Sequence, residues 1–574
     1  MVDYRLRFML ATALIFVMTA LSGLGALADA GVDVGLPELT ELTALVQLTE
    51  TPEPEPPIPP FSERLAAAGS ALALVAAAPD GWVPVVPGVD YSLFQVAGPV
   101  RIHVARMARA NQSLFLETSI GDGRLTGGVE RMSSQFARYD QAINYWGSTW
   151  GNTNDVVVAI NGSFWDHPGI PQRGMVQSGW YAKRFTNNQN GSGFVWKLDR
   201  TAFIGECITH TPSKQILTYP DGGTVQFQGI NTARGADQII VYTAHFDDAT
   251  GTSDDGVEIV VELSNRPMLV LPPPSLAVGT VREIREGAGD SRLYFDQIVL
   301  SATGDAADDL LANLEVGDSI GISNSLTNFK SDCTTPLPTL DWTKAYASLG
   351  GSYYFLQDGV IKSPGPTPHN PLTSIAFNND YIFFIVVDGR DPGISIGMTI
   401  DQMAAFVKNT LGASYGISQD GGGSSEMVID GAIVNNPSDQ FTADPCFSVY
   451  LPVVTHGDPE AAAPAEESLV SGSPCKIYVE RPVANGIMMV VQQPKTLSTR
   501  FFEGAGVVAL EQATVRLGPG SNYASAGSVP AGTPGIVLDH DAGLNGVYAK
   551  ENHWWLVDFG SVTGWVAETA MGGN

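Results

Sequence analysis

The sequence is poor in basic charge and in cysteine, and after its N-terminus it has no long apolar run. Lysine and arginine number 31 against 60 aspartates and glutamates, which gives a net charge of −29. A chain this acidic repels nucleic acid and anionic membrane surfaces, so neither is expected as a partner. Charged residues make up only 16% of the chain, and glycines number 62. This composition is typical of a folded, strand- and turn-rich protein and not of an acidic disordered tail.

The four cysteines show no C-x-x-C spacing, so a zinc site is not indicated. Four cysteines allow three pairings. Cys446 and Cys475 flank a stretch at 447–474 that is rich in Ala, Pro, Glu and Ser and is predicted to be a surface insertion. A bridge between them would close that loop, which leaves Cys207 to pair with Cys333. Free buried thiols are the alternative.

The N-terminus has the layout of a secretory signal peptide. Arg5 and Arg7 precede an uncharged run at 8–28, and Ala28-Asp29-Ala30 offers a cleavage site between small residues. We therefore predict a signal peptide at 1–30 and a secreted or cell-surface protein, with an uncleaved anchor as the alternative. Residues 31–81 are rich in Pro and Ala and are predicted to be a spacer.

Between residues 82 and 492, apolar segments typical of strands run into polar clusters. The apolar run Val156–Ile160 precedes Asn161, and Ile382–Val387 precedes Asp388-Gly389-Arg390. The first run is predicted to be a central strand and the second is the most apolar strand of the chain, and polar clusters at the ends of buried strands are frequent functional sites. A helix with a capping box is predicted from Thr399 to Leu411.

A glycine-rich loop follows that helix. Its sequence is Q-D-G-G-G-S-S-E-M, from Gln419 to Met427. Asp420 stands directly before Gly421, Gly422 and Gly423. Consecutive free N–H groups in such a loop can form an anion-binding nest, and a plain glycine turn between two strands is the alternative.

Six short motifs in this region resemble the phosphodiester glycosidase family, which includes the enzyme that uncovers mannose 6-phosphate by removing N-acetylglucosamine. Their shared order across most of the chain carries the resemblance, since each motif alone is weak. They are A-I-N-G-S-F-W at 159–165, G-I-N-T-A-R at 229–234, V-V-D-G-R at 386–390, S-I-G-M-T-I at 395–400, D-G-G-G-S-S at 420–425 and R-P-V-A-N at 481–485.

The resemblance implies an α+β protein: a β-rich mixed α/β catalytic domain at 82–492 that hydrolyses sugar-1-phosphodiesters at the glycosidic bond. Its substrate would be a glycan or a sugar-phosphate polymer. Cleavage builds positive charge on the sugar and negative charge on the leaving phosphate, which carboxylates and guanidinium groups respectively stabilise. Asp420 and Asp388 are the predicted carboxylate pair, and aspartates that cap turns are the alternative.

Further positions follow from the same resemblance. Arg390 and Arg234 are predicted to bind phosphate, with structural ion pairs as the alternative. Asn161 and Asn231 would bind sugar hydroxyls or else close loops. Ser424, with the N–H groups of the three glycines, would contact phosphate or cap its own turn.

Other candidate groups have less support. Glu426 could be a third acid, although a solvated strand residue is the expected reading. Asp166 and His167 are adjacent and would point to opposite sides of a strand, so no metal is predicted, and a divalent cation is an unsupported option. No cofactor is predicted. A G-x-S-x-G nucleophile elbow is absent.

Residues 507–574 resemble a bacterial SH3-like domain, through V-R-L-G-P-G and a closing G-W-V, so a small all-β barrel is predicted. The resemblance implies binding to cell-wall polymer. Trp554, Trp555 and Trp565 are either a ligand face or the barrel core.

One position departs from the family pattern. The expected N-P-R-T segment reads Asn370-Pro371-Leu372-Thr373, with leucine in place of arginine. Leu372 therefore favours the second hypothesis, a non-catalytic wall- or exopolysaccharide-binding protein that keeps the fold.

Overall fold

The computed structural model describes residues 59–78, 80–146, 150–185, 193–263, 277–330, 332–337, 342, 344–443, 475–540 and 542–573. The predicted signal peptide, most of the spacer, the insertion at 447–474 and Cys446 lie outside these residues, and so does the predicted Cys446–Cys475 bridge. Within the described part, no helix is long and apolar enough to span a membrane.

The described residues form five α-helices, all short. They are α1 (Phe61–Ala68), α2 (Ala71–Ala76), α3 (Met132–Tyr139), α4 (Gly304–Asn313) and α5 (Ile400–Asn409). The Thr399 side chain accepts from the Gln402 N–H, and the Gln402 side chain accepts from the Thr399 N–H, so the predicted capping box of α5 is confirmed. Gly412, in the left-handed region at φ 66°, follows the end of this helix.

Strands make up most of the rest, in agreement with the predicted β-rich α+β class. The strands of the N-terminal half are β1 (Val83–Val86), β2 (Val89–Val96), β3 (Val100–Ala108), β4 (Leu114–Ile120), β5 (Ile143–Asn144), β6 (Asn152–Asn161), β7 (Trp165–Asp166), β8 (Ile170–Pro171), β9 (Met175–Gln177), β10 (Trp180–Lys183), β11 (Gly193–Lys197), β12 (Ala202–Gly205), β13 (Cys207–Thr218), β14 (Thr224–Gln226), β15 (Gly229–Ile230), β16 (Ile239–Thr243), β17 (Val257–Leu263), β18 (Ala277–Glu286), β19 (Gln297–Ala302) and β20 (Ser319–Phe329).

The remaining strands continue the same pattern to the end of the chain. They are β21 (Ala345–Gly350), β22 (Tyr353–Gln357), β23 (Val360–Ile361), β24 (Leu372–Phe377), β25 (Tyr381–Val387), β26 (Tyr415–Ser418), β27 (Met427–Ile429), β28 (Ala432–Ile433), β29 (Gln440–Ala443), β30 (Cys475–Tyr478), β31 (Asn485–Gln493), β32 (Gly506–Ala509), β33 (Ala513–Arg516), β34 (Ser525–Val529), β35 (Pro534–Val537), β36 (Val547–Ala549), β37 (Asn552–Asp558), β38 (Thr563–Ala567) and β39 (Met571–Gly573).

Two sheets frame the glycine loop. The first has eight strands in the order β1-β2-β3-β25-β24-β26-β22-β23. The second has the order β28-β27-β6-β31-β4, with β5 paired to β6. The predicted central position of β6 is confirmed, because β6 lies between β27 and β31, and the predicted strand β25 lies between β3 and β24. The loop from β26 to β27 carries the chain from one sheet to the other.

Two more sheets complete the main body, and the C-terminal sheet follows it. Five strands run in the order β10-β9-β21-β11-β12, and eight in the order β14-β13-β20-β18-β17-β19-β16-β15. The C-terminal strands form a sheet of their own, in the order β34-β33-β38-β37-β35-β32-β39 with β36 paired to β37. Two pairs, β7 with β8 and β29 with β30, stand apart.

The C-terminal tryptophans belong to the core and not to a ligand face. Trp554, Trp555 and Trp565 are 4%, 2% and 1% exposed. The C-terminal sheet is also bonded to the preceding sheets, for example by His540 Nε2 to Asp296 Oδ2 at 2.9 Å. Trp554 and Trp565 share one apolar cluster with residues of the second eight-stranded sheet. The likeness of the C-terminal sheet to an SH3 barrel stays a prediction.

Cys207 and Cys333 are bonded, so this predicted pairing is confirmed. Cys207 opens β13 and is the ladder partner of Phe329 at the end of β20. The bridge therefore closes a loop of 126 residues in sequence at the free end of this strand pair.

We expect the double variant Cys207→Ala/Cys333→Ala to lower the free energy of unfolding by about 2–4 kcal/mol, because the bridge restricts the unfolded chain over a long loop. Urea unfolding of the oxidised proteins measures the change. Reductant should shift the wild-type midpoint to that of the variant, and equal midpoints under oxidising conditions would contradict the prediction.

Candidate active site

Strand alternation brings Asp388 onto the inner face of the first sheet. Side chains of a strand alternate between its two faces. Val386, His103 and Tyr91 share the face that packs toward the second sheet, and Asp388 continues this series one residue past the end of β25. His103 Nε2 lies 3.1 Å from Asp388 Oδ2, and His103 Nδ1 lies 2.8 Å from the Tyr91 hydroxyl.

This chain of three groups has one consistent proton arrangement. Burial and the charge of Asp388 raise the pKa of Tyr91 far above its ordinary value, so its hydroxyl keeps the proton and donates it to His103 Nδ1. His103 Nε2 then carries the ring proton and donates to Asp388. Each ring nitrogen of His103 therefore has one partner in this buried series.

The other oxygen of Asp388 is occupied as well. Oδ1 accepts from the Asn436 N–H at 2.9 Å and from Asn435 Nδ2 at 3.3 Å. With His103 on Oδ2, the carboxylate has three donors and is 2% exposed. Ser395 Oγ donates to the Asp388 carbonyl at 2.6 Å and so fixes the backbone of the same turn.

Asn435 connects the D-G-R turn to the glycine loop. Its Nδ2 donates to the Ser425 carbonyl at 3.0 Å as well as to Asp388, and its Oδ1 accepts from the Met427 N–H at 2.8 Å. A single buried amide thus holds both predicted motifs in one place.

Arg390 reaches the glycine loop directly. It has a left-handed φ of 61°, and a Cβ placed on Gly422 would lie only 2.8 Å from Arg390 Nη2. Gly422 itself has a φ of 67°, so glycine is required both for its backbone and for this approach. Within the described residues Arg390 makes no ion pair, and its only polar side-chain partner is Asn370 Oδ1 at 3.5 Å. In the part of the chain that the structure describes, Arg390 is therefore not ion-paired with Asp388 or Asp391.

A second guanidinium group lies against the next glycine. A Cβ on Gly423 would be 2.2 Å from Arg481 Nη2. Arg481 is aligned by two contacts to Asp439, at 2.7 and 2.8 Å. Gly421 is equally restricted, because its Cβ would meet the Pro371 carbonyl at 2.8 Å. Each of the three glycines makes room for a different neighbour.

Asn161 supports the loop from beneath. Its Nδ2 donates to the Asp420 carbonyl at 2.8 Å, while its Oδ1 accepts from Thr373 Oγ1 at 2.7 Å and the Glu426 N–H at 3.2 Å. Asn161 is fully buried. The predicted contact with sugar hydroxyls is therefore corrected: the side chain is taken up in closing the loop.

Asn231 and Arg234 are also corrected. Asn231 donates to the Ala182 carbonyl and to Thr243 Oγ1, at 2.7 and 2.8 Å, and accepts from the Thr243 N–H. Arg234 is ion-paired with Asp255 and donates to Ser301 Oγ at 2.9 Å. Both side chains hold loops of the second eight-stranded sheet, and none of their described contacts involves the glycine loop.

The surroundings of Asp420 shift the pKa of its carboxyl group. Burial raises its pKa above the ordinary value, while the Ser424 hydroxyl, the Arg481 charge and the Gly421 N–H oppose the rise. It is 9% exposed, against 2% for Asp388. A carboxylate with a raised pKa is a stronger base, and this one lies within the electrostatic reach of the Arg481 guanidinium group.

Glu426 is buried, so the expected solvated strand residue is wrong. Its Oε1 accepts from the Arg481 N–H at 2.6 Å, and its Oε2 has no partner among the described residues. Burial, and then the charge of Glu480, raise the pKa of Glu426 to about 9. It is therefore a neutral acid at pH 7.

Several groups of the site were not assigned roles from the sequence. Arg481 and Asn485 lie in the R-P-V-A-N motif. This motif contributed to the family resemblance, but no functional role was predicted for its residues. Asn485 Oδ1 accepts from the Ser163 N–H at 2.7 Å and so joins this motif to the one around Asn161. His103 and Tyr91 had no sequence signal beyond the alternation of their strands. Among the described residues, no group of three or more His, Cys, Asp or Glu side chains is arranged to hold a metal ion.

The sequence model of the phosphodiester glycosidase family matches residues 295–449, which include both the D-G-R turn and the glycine loop. No curated protein sequence matches the chain.

Solved structures give remote likenesses. A hypothetical protein from Synechocystis is 13% identical with a TM-score of 0.43, and the match covers 71% of this chain and 63% of that one. A protein from Burkholderia pseudomallei described as exported is 17% identical with a TM-score of 0.41, covering 69% and 74%. The catalytic domain of zebrafish N-acetylglucosamine-1-phosphodiester alpha-N-acetylglucosaminidase, auto-inhibited by its pro-peptide, is 12% identical with a TM-score of 0.28, covering 70% and 81%.

The buried Glu426 predicts a specific pH dependence of stability. Between its ordinary pKa of 4.5 and its folded pKa of about 9, the folded protein binds a proton that the unfolded chain has lost. This group therefore makes stability fall as pH rises through that window. Glu426→Gln, a neutral isostere, should remove the fall and raise the Tm by several degrees at pH 8, with little change at pH 4.

Thermal melts of both proteins from pH 4 to pH 9 test this expectation. Glu511→Gln, at an exposed position in the C-terminal sheet region, is the matched control and should melt in parallel with wild type. Parallel curves for Glu426→Gln and wild type would show that Glu426 is ionised in the folded state.

Proposed function

We propose that this chain is an exported hydrolase that cleaves the glycosidic bond of sugar-1-phosphodiesters in surface or wall glycans. The observation that supports it best is the placement of the Arg390 and Arg481 guanidinium groups against Gly422 and Gly423, beside Asp420. The family match over 295–449 covers this same loop and is the second support.

In the proposed reaction, the bond between the anomeric carbon and the phosphate oxygen breaks, and its electron pair leaves with the phosphate. Arg390, which has no carboxylate partner among the described residues, is the main group for the phosphate charge. Arg481 is held by Asp439 and lines the loop beside it. The Gly422 N–H already donates to the Pro371 carbonyl at 3.0 Å and the Gly421 N–H to Asp420, so the predicted nest of three free glycine N–H groups is corrected and the arginines are the main donors to the phosphate.

Asp420 is proposed as the reactive carboxylate, which either attacks the anomeric carbon or removes a proton from water. Its raised pKa makes it a stronger base than an ordinary aspartate. Asp388 is proposed as a positioning residue, since its oxygens already accept from His103, Asn435 and Asn436. A phosphate leaving group needs little protonation, so a strong general acid is not required.

Export and attachment complete the proposal. The Cys207–Cys333 bridge is of a kind that persists in oxidising compartments, and the N-terminal sequence has a signal-peptide layout. The C-terminal sheet would hold the enzyme near its polymer. Because the three tryptophans of that sheet are buried, other residues would make this contact.

The first test is release of sugar from an α-glycosyl phosphodiester. Asp420→Asn should lower kcat by about 10²- to 10⁴-fold, the usual contribution of a positioned acid–base group. Asp388→Asn should lower it less, because it disturbs the turn that delivers Arg390. Asp401→Asn, on the exposed side of α5, is the control. Unchanged turnover in both Asp420→Asn and Asp388→Asn would reject the site, and assays with and without chelator would report any metal requirement.

Leu372 supports a second candidate, a non-catalytic glycan-binding protein. Its side chain is 9% exposed within the apolar cluster around α5, and its Cδ2 lies 3.8 Å from a Cβ placed on Gly421. The position therefore underlies the glycine loop, where an arginine would add a third guanidinium group.

Leu372→Arg distinguishes the two candidates. In a slow hydrolase we expect it to raise kcat/KM by about tenfold, the effect of one added charge-assisted hydrogen bond. Leu372→Met, which conserves volume, should leave kcat/KM unchanged. If wild type and both variants bind wall polymer tightly and none releases sugar, the non-catalytic candidate replaces the hydrolase.

A further inference from the structure

A cavity of about 400 Å³ lies between the main body and the C-terminal sheet. It is close to β4, whereas the glycine loop leads into β27. In the second sheet these two strands are three ladder steps apart, roughly 14 Å at the usual strand spacing. None of the candidate active-site residues lines the cavity, so it is a separate feature.

Aromatic side chains form one part of its lining. Trp150, Trp180, Phe295 and Tyr523 all contribute. Phe295 packs against Trp150 and Tyr523 with ring centroids 5.6 and 5.8 Å away, in edge-on contacts. Tyr523 comes from the C-terminal sheet region and the others from the main body, so docking of the two parts builds this wall.

Polar groups form the rest of the lining. Gln177, Ser521 and Asn522 are uncharged donors and acceptors at the cavity surface. Asn522 Oδ1 has no hydrogen-bond partner among the described residues although it is buried from solvent. A pocket of this size, with aromatic rings and a few convergent polar groups, has the usual features of a small-molecule site.

The charged groups around the cavity disfavour an anion. Arg124 is paired with Asp247 and Asp248, at 3.1 and 2.7 Å. Arg138 is paired with Glu130 and Asp122, at 2.9 and 3.2 Å. Both guanidinium groups are thus neutralised, in contrast to Arg390. Burial also lowers the pKa of His245 to about 4, which leaves this ring uncharged at pH 7.

The floor of the cavity is fixed by Glu117. Its oxygens accept from the Thr118 N–H, the Ser178 N–H and hydroxyl, and the Tyr346 hydroxyl, at 2.6–3.0 Å. These bonds hold Ser178 in a left-handed conformation, with φ 47°. A left-handed conformation is unfavourable for a non-glycine residue and persists only where the surrounding contacts determine it. The backbone at Ser178 is therefore preorganised.

We propose that this cavity is a second ligand site, which binds a neutral saccharide. The half-buried ring of Tyr523, backed by the buried ring of Phe295, offers an apolar face to the C–H groups of a sugar ring, and the amide and hydroxyl side chains suit its hydroxyl groups. The paired arginines and the acidic surroundings exclude phosphorylated or sulfated sugars. The volume suits about two sugar rings. The site would hold an uncharged part of a glycan apart from the glycine loop.

Isothermal titration of the full chain tests the proposal. The probes are neutral tetrasaccharides of glucose, mannose and N-acetylglucosamine, with a sulfated glucose tetrasaccharide as the charged counterpart. Ser521→Trp places a large side chain at the exposed rim of the cavity, and Ser528→Trp makes the same change at an exposed position outside the lining.

We expect at least one neutral tetrasaccharide to bind wild type and Ser528→Trp equally. Ser521→Trp should bind about tenfold or more weakly, and the sulfated probe should bind least. Asp420→Asn should bind as wild type does, and Ser521→Trp should keep any hydrolysis of a small phosphodiester, so this result is independent of the proposed reaction. No heat change with any neutral probe, equal affinities for the two tryptophan variants, or preference for the sulfated probe would each overturn the proposal and leave a hydrated cleft only.

Discussion

The close approach of two guanidinium groups to three consecutive glycines is the contact on which the candidate site depends. Arg390 and Arg481 come from distant parts of the chain and occupy the space where side chains at 422 and 423 would begin. Any larger residue would push the cations away, since a Cβ would overlap them at under 3 Å. The loop also has to be held in a fixed shape, which is the role of the surrounding amides. Asn161 ties it to β24 and β6, and Asn435 ties it to the D-G-R turn.

The two predicted carboxylates have different surroundings. Asp388 is surrounded by donors and ends a buried series that starts at Tyr91, so its charge is stabilised where it stands. Asp420 is more exposed, and burial raises its pKa against the opposing effect of Arg481. A carboxylate that is held by three donors and shapes a turn, and a carboxylate with a raised pKa near Arg481, are suited to different tasks.

The sequence predicted the framework of this site better than its side-chain roles. Local patterns were sufficient for β25, β6 and the capped helix α5, because apolar runs and capping residues act over a few positions. They also placed Asp388–Arg390 and Asp420–Gly423 at strand ends. Burial depends on contacts between distant segments, and this explains the errors. Glu426 was expected in solvent, yet it is fully buried and contacts Arg481 in the segment that precedes β31. Arg234 is the arginine of the G-I-N-T-A-R motif, but it forms an ion pair with Asp255.

Leu372 now has a physical meaning that its motif alone could not supply. It points into the apolar cluster around α5 and also touches the underside of the glycine loop. A leucine there packs well and adds no charge, whereas an arginine would turn out of that cluster toward the loop, because a charge left among apolar groups is costly. The chain already has Arg390 and Arg481 against Gly422 and Gly423. Leucine in place of the expected arginine therefore removes one cation from an arrangement that keeps two, and its side chain packs in the apolar cluster that includes residues of α5.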